Sequence, residues 1–442
     1  MSLVNTVREA GIIGAGGAGF PAHVKVDCAV EMVIANGAEC EPLLNTDQRV
    51  MEHFADEVVD GLLKVQEAVG AKRAIIGLKA HYHEAIAALR KAIGEREVEL
   101  ALLKNFYPSG DEQILVTEIT GRVVPEGGIP LQVGIVVCNV ATLMNMSRAV
   151  RGQVVTTKEV TLVGEIDQPQ VTICPVGTPI RHLLQLAGPK LPDEELVVID
   201  GGPMMGNIVS LDGYVKKTTS GLIFLSKHHE LVRWKQIPME WMLRRAAAAC
   251  CQCRDCTEVC SRHLQGHRIQ PHMIMRGLAY PERVHDQAMF SAFLCSQCGL
   301  CEFACPLNLS PKMAYAEVLK TMRAKGVQNP LKNAPTEPHE FNATRKIDKR
   351  RLTRRYDLEQ YDSHSLPLRR LSAPPPMVGI VLNQAIGTPS VTLVGVGDLV
   401  TKGQLIARIA DGKLGANHHA SVAGRVVRVD SNLILIAEQN AG

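Results

Sequence analysis

The chain has 442 residues, 46% hydrophobic and 21% charged, a balance that suits three or four globular domains with sizeable cores. A net charge of +3 and only 4% aromatic residues provide neither the basic surface nor the stacking platforms of a nucleic-acid binder. The first residues, MSLVNTVREAGIIGAGG, lack the basic-then-apolar order of a secretory signal, and the most apolar run, GIVVCNVATLM, is too short to span a bilayer, so no transmembrane segment and a cytoplasmic location are expected.

Residues 1–153 alternate apolar strands with amphipathic helices. Strands are expected at 30–35, 73–78, 98–103 and 134–140, and helices over TDQRVMEHFADEVVDGLLKVQEAV and HYHEAIAALRKAI. That alternation predicts an α/β domain with a mostly parallel sheet. GAGGAGFP, Gly14 to Pro21, brings four glycines within six residues, so backbone N–H groups there can approach a phosphate. It precedes the first strand, unlike a dinucleotide fingerprint, and by itself reads equally as a glycine-rich turn. ANGAECEP (35–42), YPSGDEQ (107–113) and CNVAT (138–142) each follow a strand, where α/β sheets bind ligands. Lys25 and Glu41 taken singly read as solvated surface charges.

Residues 154–226 alternate short strands with one helix, GTPIRHLLQLAG, which Thr178-Pro179 starts and Gly188 stops. Cys174 and His182 read as packing residues there. GGPMMG (201–206) is a tight glycine turn without an evident partner.

Residues 227–330 hold nine of the thirteen cysteines. In a reducing compartment such clustering reads as metal ligation rather than disulfides. Cys250, Cys253, Cys256 and Cys260 follow C-x2-C-x2-C-x3-C; Cys295, Cys298, Cys301 and Cys305 repeat it, with Pro306 completing the ending. This is the run of bacterial two-cluster ferredoxins, in which the fourth cysteine ligates the other cluster. The expected cages are therefore Cys250, Cys253, Cys256 with Cys305, and Cys295, Cys298, Cys301 with Cys260, each around one [4Fe-4S] cluster. Zinc is the alternative for paired CxxC motifs. Cys251 fits no ligand position. WMLRRAAAAC and SPKMAYAEVLKTMRAKG flank the runs as helices.

Residues 331–371, with RKIDKRRLTRR at 345–355, are expected to form a solvated basic linker; docking to an acidic protein surface is the alternative. From 372 to 442, short strands, regular glycines and a VGDLVTKGQLIA hairpin resemble the barrel-sandwich hybrid of biotinyl and lipoyl carriers. Lys413 falls where a carrier lysine sits, but between Gly412 and Leu414, so a non-carrier copy is expected. His418 and His419 read as surface histidines, or as ligands of a cobalt or iron centre.

Taken together, Gly14–Pro21 with Lys25, Asn36–Pro42, Tyr107–Glu112 and Asn139–Thr142 resemble the FMN site of the flavin subunit of respiratory complex I, and are closer still to RnfC-type electron-transfer subunits. Those subunits carry the barrel-sandwich module ahead of the glycine segment. Here it closes the chain, which is the order of the PduS-type cobalamin reductases of propanediol-utilization microcompartments. The resemblance implies a multidomain α/β plus β fold: a flavin-binding α/β domain, a β-grasp module of the soluble-ligand-binding (SLBB) kind, a helical two-cluster ferredoxin domain and a C-terminal barrel-sandwich hybrid. It implies that Gly14, Gly16, Gly17 and Lys25 hold the FMN phosphate and ribityl chain, with Asn139 and Thr142 on the phosphate side. Asn36, Glu39, Gly110, Asp111 and Glu112 line the flavin, and Glu41 faces the nicotinamide nucleotide, which makes Glu39 and Glu41 the expected catalytic carboxylates. It further implies NADH as donor, a cobalamin substrate, an adenosyltransferase and microcompartment shell proteins as partners, and a place within such a compartment. Two rivals stand beside it: a subunit of a membrane-associated NADH:ferredoxin complex, and a non-catalytic iron-sulfur relay.

Overall fold

The computed structural model describes residues 2–279, 286–363 and 365–438. The predicted ferredoxin region and C-terminal module therefore each include a few residues (280–285, 439–442) outside the described ones. Among the described residues no helix is long and apolar enough to cross a membrane.

The N-terminal α/β domain begins with α1 (Leu3–Glu9) and α2 (Ala22–Lys25). It then alternates β1 (Met32–Gly37), α3 (Thr46–His53), α4 (Ala55–Ala68), β2 (Arg73–Lys79), α5 (His83–Ile93), β3 (Glu99–Leu103), β4 (Phe106–Tyr107), α6 (Glu112–Thr120), β5 (Ile135–Asn139) and α7 (Val140–Val150). The sheet is parallel throughout, in the order β3-β2-β1-β5. Strict alternation sends Val33, Ala35, Ile76, Val136 and Cys138 to one core and Met32, Ile34, Ile75, Ile135 and Val137 to the other. The long helix expected from residue 46 is instead two, because the chain bends at Phe54 (φ −129°, ψ 31°), whose ring lies 4.9 Å beneath the Arg148 guanidinium. Strand order reverses between β1 and β5, and their register pairs Asn36 with Asn139. A crevice at the carboxyl ends follows from that reversal.

The middle sheet contains β6 (Thr157–Gly164), β7 (Gln170–Pro175), β8 (Leu196–Asp200), β9 (Asn207–Val209) and β10 (Gly221–Ser226), with α8 (Ile180–Ala187) packed on it. The hairpin β6–β7 is antiparallel, while β10 runs parallel to β6 in the centre. As expected, α8 starts after Pro179 and ends at Gly188 in the left-handed region. Helices Met239–Ala249 and Pro311–Ala324 flank the cysteine runs, the second capped by Ser310 Oγ accepting from Met313 N.

Segment 331–371 departs from the solvated linker that its charge predicts. Its β11 (Ile347–Asp348) pairs antiparallel with β4, and its β12 (Leu368–Arg370) extends the middle sheet beside β7. Ile347, Leu352, Tyr356, Leu358 and Leu366 fill a core shared with Tyr107, Met204 and Cys298. The basic residues between them face outward or pair, as Lys346 does with Glu118 at 2.5 Å. Charge content hid an apolar stripe.

The C-terminal module packs two small sheets, formed by Met377–Val381, Leu433–Glu438, Gly424–Val429 and Leu399–Val400 in one, and Val391–Thr392, Leu405–Arg408 and His418–His419 in the other. Leu399–Val400 and Leu405–Arg408 lie in different sheets, so the expected hairpin is a crossover between layers. His418 and His419 are buried rather than surface residues; burial lowers the pKa of both, His419 to about 4, so both rings are neutral at physiological pH.

If the strap 331–371 is part of the core, Leu352→Ala costs about 2–5 kcal/mol of stability. The expected signature is a lower thermal midpoint together with faster tryptic cleavage within 345–355. An unchanged midpoint and cleavage rate would return the segment to the solvated class.

Candidate functional site

The crevice between β1 and β5 is bordered by the glycine loop. Gly16, Gly17 and Ala18 are exposed there, and a Cβ at Gly17 (φ +108°) would meet nothing within 4 Å. A Cβ at Gly16 would lie 3.2 Å from Asn139 Nδ2, so a bare backbone lets the loop rest against that side chain. Thr142 Oγ1 accepts from Ala15 N at 3.0 Å, and Asn139 caps α7 through Ala141 N at 2.9 Å. Lys25 is ion-paired with Glu112; burial opposes its charge, but the Glu112 carboxylate outweighs burial and raises the pKa. Asn36 donates to Gly110 O at 2.8 Å, joining the second and third motifs. The structure thus brings Gly14, Gly16, Gly17, Lys25, Asn36, Gly110, Glu112, Asn139 and Thr142 together around one crevice. An exposed amide loop beside an ammonium fits a phosphate, and the amide and carboxylate side chains fit a flavin's polar edge.

Beneath the loop lies a buried charged group. Glu39 accepts from Asp47 N at 3.2 Å, and Asp47 Oδ2 accepts from Asn139 Nδ2 at 2.8 Å. Burial raises the pKa of Glu39, with the Asp47 carboxylate adding to it; Lys349 and Lys79 oppose the rise. Lys79, at the end of β2, is fully buried and bonds Asn105 Oδ1 at 3.1 Å; burial pushes its pKa down to about 7.

Two expected flavin or nucleotide residues are engaged elsewhere. Glu41 accepts from Met204 N at 2.9 Å and Met205 N at 3.0 Å, so its carboxylate holds the GGPMMG turn that had no partner in the sequence. Asp111 caps α6 and forms a bidentate pair with Arg262 at 2.7 and 2.9 Å.

The cysteines sort crosswise, as the two-cluster run requires. Cys250, Cys253, Cys256 and Cys305 line one opening of about 360 Å³, with Cys251, His272, Pro306 and Leu309 also on its wall. Cys260, Cys295, Cys298 and Cys301 line another of about 320 Å³, with Arg262, Lys312 and Tyr315. Burial pushes the Cys256 thiol up to about 12, helped by Cys305, Cys250 and Cys253; burial and Cys298 act likewise on Cys295, also to about 12. Thiols that raise one another's pKa need cationic iron among them to ionise together. Among the described residues no three His, Cys, Asp or Glu side chains converge on a single-ion position. The C-x2-C-x2-C-x3-C spacing, present twice and grouped crosswise, suits two cubanes better than zinc.

Three families match the chain in succession: the Nuo51 FMN-binding domain over residues 7–148, the 4Fe-4S dicluster domain over 249–310 and the RnfC barrel-sandwich hybrid domain over 357–441. Across its length the chain is similar to cobalamin reductase PduS of Citrobacter freundii and of Salmonella typhimurium, each 38% identical over 434 residues, covering 97% of this chain and 95% of the relative. A component of the proton-translocating ferredoxin:NAD(+) oxidoreductase complex of Clostridium ljungdahlii is 35% identical over 269 residues, 59% of this chain and 56% of that one. The chain belongs to the PduS cobalamin reductase family.

In this PduS-family chain the crevice and the second cage are joined directly. Tyr107, 1% exposed, donates its hydroxyl to Cys298 O at 2.7 Å and lies 3.3 Å from Glu41 Oε1. Sequence reading missed the Tyr107 hydroxyl contact, Asp47, Lys79 and Arg262. Lys79 left a signal, a lysine directly after the apolar run 74–78 at the carboxyl edge of a parallel sheet. Arg262, between two cysteine runs, left none.

Glu39 keeps its proton in the folded crevice above 4.5, where the unfolded chain has released it. Its contribution to stability is therefore full below that value and lost as pH rises through the raised folded value. Lys79 acts oppositely, but only above about 7. The flavin-free Glu39→Gln variant is expected to lose less thermal stability than the parent between about pH 5 and about pH 7. An equal loss in both would show that Glu39 does not hold the proton.

Proposed function

We propose that this chain is an NADH-dependent flavo-iron-sulfur reductase that delivers electrons to a corrinoid. Cobalamin reductase is the name its full-length relatives carry. The observation that carries the reading is the sorting of eight cysteines into two cages, one of them in hydrogen-bond contact with the crevice through Tyr107. When bound, FMN accepts the hydride of NADH, and two [4Fe-4S] clusters pass its electrons on singly.

The chain's own residues divide the remaining work. Lys25 and the backbone of Gly14, Gly16 and Gly17 hold the flavin phosphate, while Asn139 and Thr142 fix that loop. Asn36, Glu39, Gly110 and Glu112 line the ring. Lys25 leaves Glu112 for the phosphate, which frees that carboxylate for the nucleotide side. Glu41 and Asp111 act one step back, holding the 201–206 turn and Arg262. Cys250, Cys253, Cys256 and Cys305 ligate one cluster, and Cys260, Cys295, Cys298 and Cys301 the other. In this reading 1–153 is the flavin domain, 154–226 a β-grasp module of the SLBB kind, 227–330 the ferredoxin domain, 331–371 the strap and 372–442 the barrel-sandwich module. A reduced corrinoid is the substrate of adenosylation, so an adenosyltransferase is the expected consumer, with shell proteins of a microcompartment as neighbours.

The test is anaerobic purification with assay of FMN, iron and sulfide, followed by NADH-driven reduction of cob(III)alamin. One FMN, about eight irons and corrinoid turnover are expected. Lys25→Ala removes a charge-assisted contact and weakens FMN binding about 10- to 100-fold without loss of iron. NADH-driven dye reduction without corrinoid turnover would remove the corrinoid from the reading.

A further inference from the structure

The two cages differ in where they sit. In the second, Cys260, Cys298 and Cys301 are buried and Cys295 is half-buried. In the first, none of the four is buried: Cys253 is exposed, and Cys250, Cys256 and Cys305 are half-buried. Beside it, Cys251 is exposed, and the Arg254 side chain keeps 53% of its accessible surface.

Their contacts differ in the same sense. The second cage is bonded to the flavin domain at two points, Tyr107 to Cys298 O and Arg262 to Asp111, both from the 107–112 loop that borders the crevice. A third element closes over it: Met204 O accepts from Lys312 Nζ at 2.7 Å, and a Cβ at Gly299 would stand 3.3 Å from Met204 Cε. The first cage is supported from within its own module, by Gln252 Nε2 on His272 O at 3.2 Å and Arg245 on Leu307 O at 3.1 Å. One cage is therefore the more covered of the two, with the crevice at its back. The other opens to solvent.

We propose that the cages work in a fixed order: Cys260, Cys295, Cys298 and Cys301 form the entry, and Cys250, Cys253, Cys256 and Cys305 form the exit. This rests on the reading that both cages hold clusters. The balance is simple. With FMN held in the crevice, one NADH would become NAD+ by giving its hydride to the flavin, and the two electrons would then enter the buried cage one after the other, the proton going to solvent. Each leaves through the exposed cage to reduce cobalt by one unit, so one NADH serves two single reductions or one double reduction. Tyr107 is a positioning residue here, fixing the buried cage against the crevice.

The test uses the full-length, anaerobically reconstituted chain. Cys253→Ala is expected to lower iron from about eight to about four per chain. NADH still reduces the remaining cluster, seen as its paramagnetic signal at low temperature, while corrinoid reduction is lost. A remaining cluster that dithionite reduces but NADH does not would overturn the order, as would undiminished corrinoid turnover. Because a cysteine variant can fail to fold, the wild type supplies a second measurement. An iron chelator applied to the oxidised protein is expected to release iron in two phases, and the cluster left after the first is still reduced by NADH. Release of both clusters in one phase, or a surviving cluster blind to NADH, would overturn it. Were wild-type clusters reduced by NADH without any corrinoid turnover, the acceptor reading would fall while the paramagnetic signals still decided the order.

Discussion

The structure depends on one carboxylate and the hydroxyl beside it. Glu41 takes the N–H groups of Met204 and Met205, and Tyr107 bridges from Glu41 to the carbonyl of Cys298. Four parts of the chain meet there: the loop after β1, strand β4, the turn of the middle sheet and the second cysteine run. The strap joins as well, since Ile347 pairs with Tyr107 in the β11–β4 ladder. Lys312 and Lys235 bond the carbonyls of Met204 and Gly206, each at 2.7 Å, so both polarities of the turn's backbone are met by opposite charge. A buried carboxylate satisfied by two backbone N–H groups gives orientation as well as energy, because each donor has a fixed direction, and the neighbouring hydroxyl carries the link on to Cys298. Crevice and cage thus have a set separation before any cofactor is present.

The crevice itself is held under electrostatic tension. Glu39, Asp47 and Lys79 sit where desolvation disfavours every one of their charges, and Lys349 reaches them from the strap. Such a cluster is costly to keep in a core and is found where polar ligands are bound. Lys25 and Glu112 neutralise each other across the opening, which keeps that pair from binding stray ions strongly. A phosphate competes with Glu112 for the same ammonium, so loading the site rearranges charge already present.

Some of this was legible in the sequence because its causes are local. Two-residue gaps between cysteines fix which thiols share a loop, and the crosswise cages followed from them. Asn36 and Asn139 could be placed at one crevice because strand ends in a parallel sheet are where the loops gather. The bond from Glu41 to the 201–206 turn was not legible, because a carboxylate in a binding loop reads alike whether it faces a ligand or a distant turn, and Met204 and Met205 stand more than 160 residues away. The strap was hidden by composition, since arginines and lysines on its outer face outnumber Leu352, Tyr356 and Leu358 beneath. Arg262 and Asp111 paired over 151 residues, beyond the reach of any periodicity.

The C-terminal module has a defined seat on the rest of the chain. It lies against the N-terminal glycine segment: Ile386 N donates to Gly19 O at 3.0 Å, and a Cβ at Gly19 would stand 2.9 Å from Gln384 O. Lys217 of the middle domain bonds Gly11 O and Asn417 O, at 2.7 Å each, tying the loop and the module to a single ammonium. Burial pushes that lysine's pKa down to about 7, so the tie is strongest where it keeps its proton. The module's seat is therefore beside the first residues of the flavin domain. A module with that seat can be joined ahead of the glycine segment by a short connection, or arrive from the far end of the chain along a strap. The second route needs the strap to cross the molecule, and its apolar stripe, its pairing with β4 and its edge strand beside β7 are the contacts made on the way.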